Sequence, residues 1–288
     1  MNYREPLFRP PAEADSLIFQ AAYGCAHNSC RFCLMYKWVK YEIRPIEEIL
    51  SEIEGASRVY SGERRFFLAD GDAMALPFDT LRQIFKKINQ FFPNAARINT
   101  YANGSSILAL TKEELAELHS LKLNTVYLGL ETGSQELLDK VCKKEKVEDM
   151  VKAVQIVQSI GIKASVMVLL GLAGKDGSEG HAIKTAEALN QMQPRLLSAL
   201  RFVEFPRKTK MFDGYKSSTE YEVVSELYTL IQRLDLNKTV FRANHSSNPV
   251  PLAGRFPQDK QALLDEIKRL LQLGRLDRSG PGHLPLWL

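Results

Sequence analysis

The stretch Leu17-Ile18-Phe19-Gln20-Ala21-Ala22-Tyr23-Gly24-Cys25-Ala26-His27-Asn28-Ser29-Cys30-Arg31-Phe32-Cys33 sets a short apolar run, Leu17 to Ala22, directly ahead of a polar loop with three cysteines spaced C-x4-C-x2-C. The run has the length and composition of a buried strand. Cys25, Cys30 and Cys33 make a poor disulfide framework, because spacings so short suit a metal better than pairwise bridges. A closed structural site would take a fourth ligand nearby. The remaining cysteine, Cys142, lies more than a hundred residues on, in a stretch that reads as helical. The loop therefore reads as a metal centre with one coordination position open, the feature that separates a reactive site from a structural one. Two other readings stand beside it: a zinc site completed by His27, and three unrelated structural cysteines. Cys142 itself reads as a small buried apolar residue.

Outward from this loop, short runs rich in β-branched and aromatic residues alternate with longer segments of helical period, the signature of βα units around a parallel sheet. The expected strands are Leu17–Ala22, Arg65–Ala69, Ala96–Ala102, Thr125–Leu130, Ala164–Leu170 and Leu197–Phe205. Between them Ile46, Ile49, Leu50 and Ile53 follow Pro45 on one helical face, and Phe78, Leu81, Phe85 and Ile88 form a second stripe. Thr111 and Glu114 form a capping box, Met150, Val151, Val154 and Val157 a stripe that Gly161 ends, and Ile183, Ala186 and Leu189 a further one. Beyond Pro206 the pattern changes to a polar loop and two expected helices, at about Thr219–Leu234 and Gln258–Leu273, with an irregular apolar ending from Gly280 to Leu288. The expected division is a barrel with its lead-in over 1–206 and an extension over 207–288 packed on it.

The chain has 288 residues, 45% hydrophobic and 25% charged, enough to bury a large core. Its net charge of +4 is spread without a basic stripe, so a nucleic-acid footprint is not expected. The run Lys143-Lys144-Glu145-Lys146 reads as solvated helix surface. Met1 to Asp15 lacks the apolar core of a signal peptide, and the longest apolar run, Val166 to Leu172, is too short to span a bilayer. A cytoplasmic protein with reduced thiols is the expectation.

At the cysteine loop the sequence resembles the radical S-adenosylmethionine (radical SAM) superfamily, as a stand-alone member, and the resemblance continues in the right order to about Pro206. It implies an α/β fold, a partial (β/α)6 TIM-like barrel carrying here a C-terminal mostly helical extension. In that family three loop cysteines bind a 4Fe-4S cluster, with an aromatic residue before the last; Cys25, Cys30 and Cys33 take those places, and Phe32 the aromatic one. The commonest family spacing is C-x3-C-x2-C, one residue shorter. Asp70-Gly71-Asp72-Ala73 looks like a variant of the Gly-Gly-Glu motif that receives the methionyl amino group, although an Asp-Gly pair also marks an ordinary turn. Gly129-Leu130-Glu131-Thr132-Gly133-Ser134 resembles the segment whose acid binds near the ribose; Glu131 alone could equally be a helix N-terminal acid. Leu169-Leu170-Gly171-Leu172-Ala173-Gly174 looks like the segment packing on adenine, with Gly171 and Leu172 at its centre, or an ordinary strand end.

The resemblance implies that the open iron chelates S-adenosylmethionine, whose one-electron cleavage gives methionine and a 5′-deoxyadenosyl radical that abstracts hydrogen from a substrate. The protein would tune the cluster's potential and keep water away from the radical. Arg97, Asn99, Tyr101 and Asn103 on one strand, with Arg201 and Glu204 on another, are the candidates to meet that substrate, or else a buried polar network. Inward-facing arginines would suit a carboxylate or phosphate. Asn244-His245-Ser246-Ser247-Asn248 reads as a substrate-facing loop including His245, or as a hydrogen-bonded turn. The expected partners are a small-molecule substrate and a low-potential electron donor of flavodoxin or ferredoxin type. Modification of tRNA or a protein, and a zinc-stabilised non-catalytic binding protein, are the competing functions.

Overall fold

The computed structural model describes residues 3–205, 209 and 211–282. Each apolar run named above contains a strand, because a run that is apolar on both faces is stable inside a covered parallel sheet; Leu17–Ala22 is divided between two strands, and the run expected to reach Phe205 ends at Arg201. The described strands are β1 (Leu17–Gln20), β2 (Ala22–Tyr23), β3 (Glu42–Ile43), β4 (Arg65–Ala69), β5 (Arg97–Ala102), β6 (Leu123–Glu131), β7 (Lys163–Leu170), β8 (Leu196–Arg201), β9 (Thr239–Ala243) and β10 (Leu252–Phe256). The helices are α1 (Ile46–Val59), α2 (Phe78–Phe91), α3 (Gly104–Leu108), α4 (Lys112–Ser120), α5 (Gln135–Lys140), α6 (Val147–Ile160), α7 (Ser178–Met192), α8 (Glu220–Arg233) and α9 (Lys260–Gln272). Eight strands form one sheet in the order β1-β4-β5-β6-β7-β8-β9-β10, and β2 and β3 form a separate ribbon. The fold is α/β with a mostly parallel sheet, consistent with a partial barrel.

The chain divides into two compact units, and Cys25 and Cys33 fall in the first, Cys30–Phe32 in the second. In the first unit β1, β4, β5 and β6 pair in parallel, with Phe19 paired to Leu68 and Phe67 to Asn99. Phe19, Phe66 and Phe92, all buried, stack behind these strands. Each such ring contributes about 2–3 kcal/mol by leaving water. In the second unit β7, β8 and β9 pair in parallel and β9 with β10 antiparallel, while α7 and α9 both pack on α8.

Helix starts obey the expected chemistry. Pro45 and Pro77 precede α1 and α2, and Thr111 and Thr219 close capping boxes with Glu114 and Glu222. The extension departs from expectation: besides α8 and α9 it contributes β9 and β10, which continue the sheet. Thr239 and Phe241 are buried in alternation with less buried Val240 and Arg242, the pattern of a strand with one covered face. The expected boundary at Pro206/Arg207, and the chain end from His283, lie outside the described residues.

Candidate active site

The first strand delivers the cysteine loop. All four cysteines are half-buried thiols outside any disulfide. Asn28 lies at φ +22° and ties the loop to the segment after it, its Nδ2 donating to the carbonyls of Tyr36 (2.8 Å) and Val39 (3.2 Å). Gly71, after β4, sits against Cys25: its N–H donates to the Gly24 carbonyl at 3.1 Å, and a Cβ at position 71 would lie 2.6 Å from that of Cys25. Only glycine admits this approach.

The two acids flanking Gly71 are both buried and both engaged. Asp70 accepts from Tyr36 Oη at 2.7 Å and Gln20 Nε2 at 2.8 Å, and burial raises its pKa while these bonds oppose the rise. Asp72 accepts from Ser106 Oγ (2.9 Å) and from both the backbone N–H (3.3 Å) and the Nδ2 (2.9 Å) of Asn103. Asn103, which follows β5, is thus held by a candidate cofactor residue.

Of the other residues proposed along β5, Tyr101 has its pKa raised by burial and is close enough for the Asp70 charge to add to the rise, whereas Arg97 and Asn99 lie toward the start of the strand. Arg97 opens the strand, at the end opposite Asn103, and Asn99 donates to Glu13 Oε1 at 2.7 Å. Tyr101 packs edge-on to Phe67. Glu13, unnoticed in the sequence, also accepts from Ser16 Oγ (2.6 Å) and from the Tyr127 hydroxyl.

In the second unit Glu131 ends β6 at φ +64°, a left-handed position that costs a non-glycine residue energy. It is buried; Oε1 accepts from Lys143 Nζ at 3.2 Å, whereas Oε2 has no partner among the described residues. Lys143 and Glu145 are buried, which corrects the expectation of a solvated helix surface: α5 stops at Lys140, and the segment turns inward to supply Glu131 with a cation. Burial opposes the Lys143 charge, but Glu131 and Cys30 outweigh it and raise its pKa. Cys142 lies at φ +56° in that turn, not inside a helix, and receives Arg31 Nε at 3.2 Å from the cysteine loop. Nothing local in the sequence marks Lys143, since its partner is twelve residues back across a helix.

Phe32 and Leu172 meet in one apolar cluster with Leu137, Val141 and Phe202. The Gly171 peptide, at φ +77°, is pinned from both sides, its N–H donating to Glu226 (3.0 Å) and its carbonyl accepting from Tyr215 Oη (3.0 Å). Glu226 also accepts from Ser178 Oγ (2.7 Å) and bonds His181 Nδ1 (2.9 Å), a buried set the sequence did not suggest. Arg201 closes β8, Glu204 accepts from Ser217, and His245 Nδ1 meets Ser247 Oγ at 2.8 Å, with burial lowering the imidazole pKa.

Among the described residues no three His, Cys, Asp or Glu side chains stand close enough together to hold a metal ion. Three cysteines on a nine-residue loop, none of them in a disulfide, are a suitable donor set for an iron–sulfur cluster. The bare Glu131 Oε2 likewise suits a hydroxyl-bearing ligand. No described helix is long and apolar enough to cross a membrane.

A family model for the radical SAM superfamily matches residues 20–186, more than half of the 288. An uncharacterized protein from Methanocaldococcus jannaschii is 24% identical over 246 residues, 77% of this chain and 47% of that protein. The heme chaperone HemW of Bacillus subtilis is 23% identical over 174 residues, 58% of this chain and 45% of its own. The chain thus spans about half the length of the curated relatives it matches. Among solved structures, the radical SAM methyltransferase TsrM from Kitasatospora setae, with cobalamin and a 4Fe-4S cluster bound, shares the fold at TM-score 0.59 and 17% identity, over 90% of this chain and 61% of that one. With a matching cysteine loop, parallel sheet and family model, the chain belongs to the radical SAM superfamily, whose cofactors are a 4Fe-4S cluster and S-adenosylmethionine.

Proposed function

We propose that this chain is a radical SAM enzyme acting on a small molecule, with Cys25, Cys30 and Cys33 as the ligands of its cluster. The observation that carries the reading is the loop itself: three half-buried cysteines outside any disulfide, in the loop that follows β1 and the short β2. When bound, the cluster and S-adenosylmethionine together supply a 5′-deoxyadenosyl radical. The chain's own residues have three tasks. Gly71 lets the loop after β4 lie flat against Cys25. In this reading Asp70 and Asp72, with their carboxylates fixed by Tyr36, Gln20, Asn103 and Ser106, hold the backbone of their loop rigid beside the cofactor's amino group. Glu131, neutralised on one oxygen by Lys143, offers the other to a ribose hydroxyl.

Phe32 and Leu172, which share one apolar cluster, and Gly171 beside Leu172 would shield the adenine of the cofactor from water. Tyr101, Asn103, Arg201, Glu204 and His245 are the proposed substrate contacts. Arg97 and Asn99 fit better as scaffold, given the place of Arg97 at the strand's start and the commitment of Asn99 to Glu13. A low-potential donor of flavodoxin or ferredoxin type would supply the electron.

Anaerobic reconstitution tests the reading. The expected result is about four irons and four sulfides per chain and release of 5′-deoxyadenosine on reduction with S-adenosylmethionine. Alanine at Cys25, Cys30 or Cys33 is expected to abolish both. A cluster surviving any one of these changes would remove that cysteine from the ligand set, and a bound zinc ion without cofactor cleavage would replace the reading altogether.

A further inference from the structure

Arg201 ends β8 with its side chain shut away from solvent. The residue is 5% exposed, and neither Nε nor Nη1 has a hydrogen-bond partner among the described residues. Its side-chain bond is a long one, from Nη2 to the Ser218 carbonyl at 3.5 Å, and the Ser218 hydroxyl beside it is also unpartnered. The guanidinium keeps its proton in proteins, so it cannot escape burial by neutralising. Burial lowers its pKa, with only Glu220 and Tyr215 acting at a distance against the shift.

A buried cation with bare N–H groups is among the most costly arrangements a folded chain can hold, and it persists where something else supplies the anion. Other buried charges of the second unit have an opposite charge or several hydrogen bonds beside them, although Glu131 keeps one oxygen without a partner among the described residues. Lys143 has Glu131, and Glu226 gathers Gly171, Ser178 and His181. Among the described residues the backbone around Arg201 is fixed while no carboxylate forms an ion pair with it, Glu220 acting only from a distance. The Arg201 backbone N–H donates to Ser247 Oγ at 3.2 Å, Ser247 is locked to His245 at 2.8 Å, and Asn248 Nδ2 donates to the Ala199 carbonyl at 2.8 Å. Through His245, Ser247 and Asn248 the motif Asn244–Asn248 thus holds the last residues of β8. All these residues lie beyond position 186, where the match to the superfamily model ends.

We propose that Arg201 is the anion receptor of the substrate site. It donates from Nε and Nη1 to the oxygens of a carboxylate or phosphate carried by the substrate, with Ser218 Oγ as a further donor. The assignment rests on the reading of the chain as a radical SAM enzyme and names the class of molecule it acts on.

The test uses the full chain, reconstituted anaerobically, as wild type, Arg201→Met and Arg201→Lys. Thermal unfolding is followed in chloride and, at matched ionic strength, in inorganic phosphate or acetate. One of the two anions is expected to raise the wild-type midpoint by about 3 °C or more near saturation. Arg201→Lys is expected to keep part of the rise and Arg201→Met none. A response to phosphate alone assigns a phosphate ester, and one to acetate alone a carboxylate. In chloride Arg201→Met should unfold no lower than wild type, since it removes an unpaired buried charge.

The proposal fails if neither anion raises the wild-type midpoint, or if the rise survives in Arg201→Met. Should the Met protein not fold, a rise in Arg201→Lys equal to that of wild type would overturn it. Calorimetric titration with S-adenosylmethionine adds a second arm. Affinities of wild type and Arg201→Met within about twofold support a substrate anion, whereas a loss of about tenfold would assign Arg201 to the cofactor's carboxylate instead. Iron and sulfide counted on each preparation separate a missing cluster, which sinks the radical SAM reading, from a missing anion response, which sinks this one.

Discussion

Glu13 and Glu131 are both buried carboxylates, 1% and 4% exposed, yet they are treated oppositely. Glu13 has every oxygen in use, with Ser16 on Oε2 and Asn99 and Tyr127 on Oε1. Glu131 has Lys143 on one oxygen and nothing on the other. Arg201 repeats the second pattern with the opposite charge. A fully satisfied buried network specifies and stiffens a core, whereas a partly satisfied one leaves a cost that a ligand can remove. The contrast sorts the polar residues of this chain into scaffold and site.

The comparison can be broken by substitution. Glu13→Ala strips the acceptor from three buried donors, and we expect unfolding free energy to fall by about 4 kcal/mol. S-adenosylmethionine affinity of the folded fraction should be kept. A loss below about 1 kcal/mol in chemical denaturation would show the network to be idle. Lys143→Met leaves Glu131 buried without a cation and is expected to cost about 3 kcal/mol by the same assay, with Lys143→Arg recovering most of it. A neutral Lys143→Met would mean that Glu131 does not need its partner.

Glu131→Ala sharpens the contrast from the ligand side. S-adenosylmethionine should bind about 10- to 100-fold more weakly while iron content stays intact, and unchanged affinity in calorimetry would take Glu131 out of the pocket. Cys142→Ala is the smallest expected effect, about 1 kcal/mol or less in stability, with the cluster still assembled. Loss of iron in that variant would give Cys142 a place among the ligands.

Much of the scaffold was legible because strands buried on both faces and helices with one apolar stripe write their periods into consecutive residues. Arg65–Ala69 and the stripe from Phe78 to Ile88 needed no distant partner to be recognised. β10 escaped notice because Leu252 and Phe256 are its only buried positions and Gly254 and Arg255 interrupt the run. The loop cysteines were legible for the same reason as the helices, since their spacing is local. What was hidden is what depends on distance along the chain. Glu13 meets Asn99 across 86 residues and Tyr127 across 114, and Glu226 meets Gly171 across 55. Lys143 was misread because a run of alternating charges resembles a wet helix face until the chain turns inward at Cys142.

The account stands on a cluster that keeps one iron free for the cofactor. Its most direct test is electron paramagnetic resonance of the anaerobically reconstituted and reduced protein, recorded before and after addition of S-adenosylmethionine. A reduced 4Fe-4S signal whose g-values shift when the cofactor is added is the expected result. A signal that S-adenosylmethionine leaves unchanged, or a preparation holding zinc in place of iron, would contradict it.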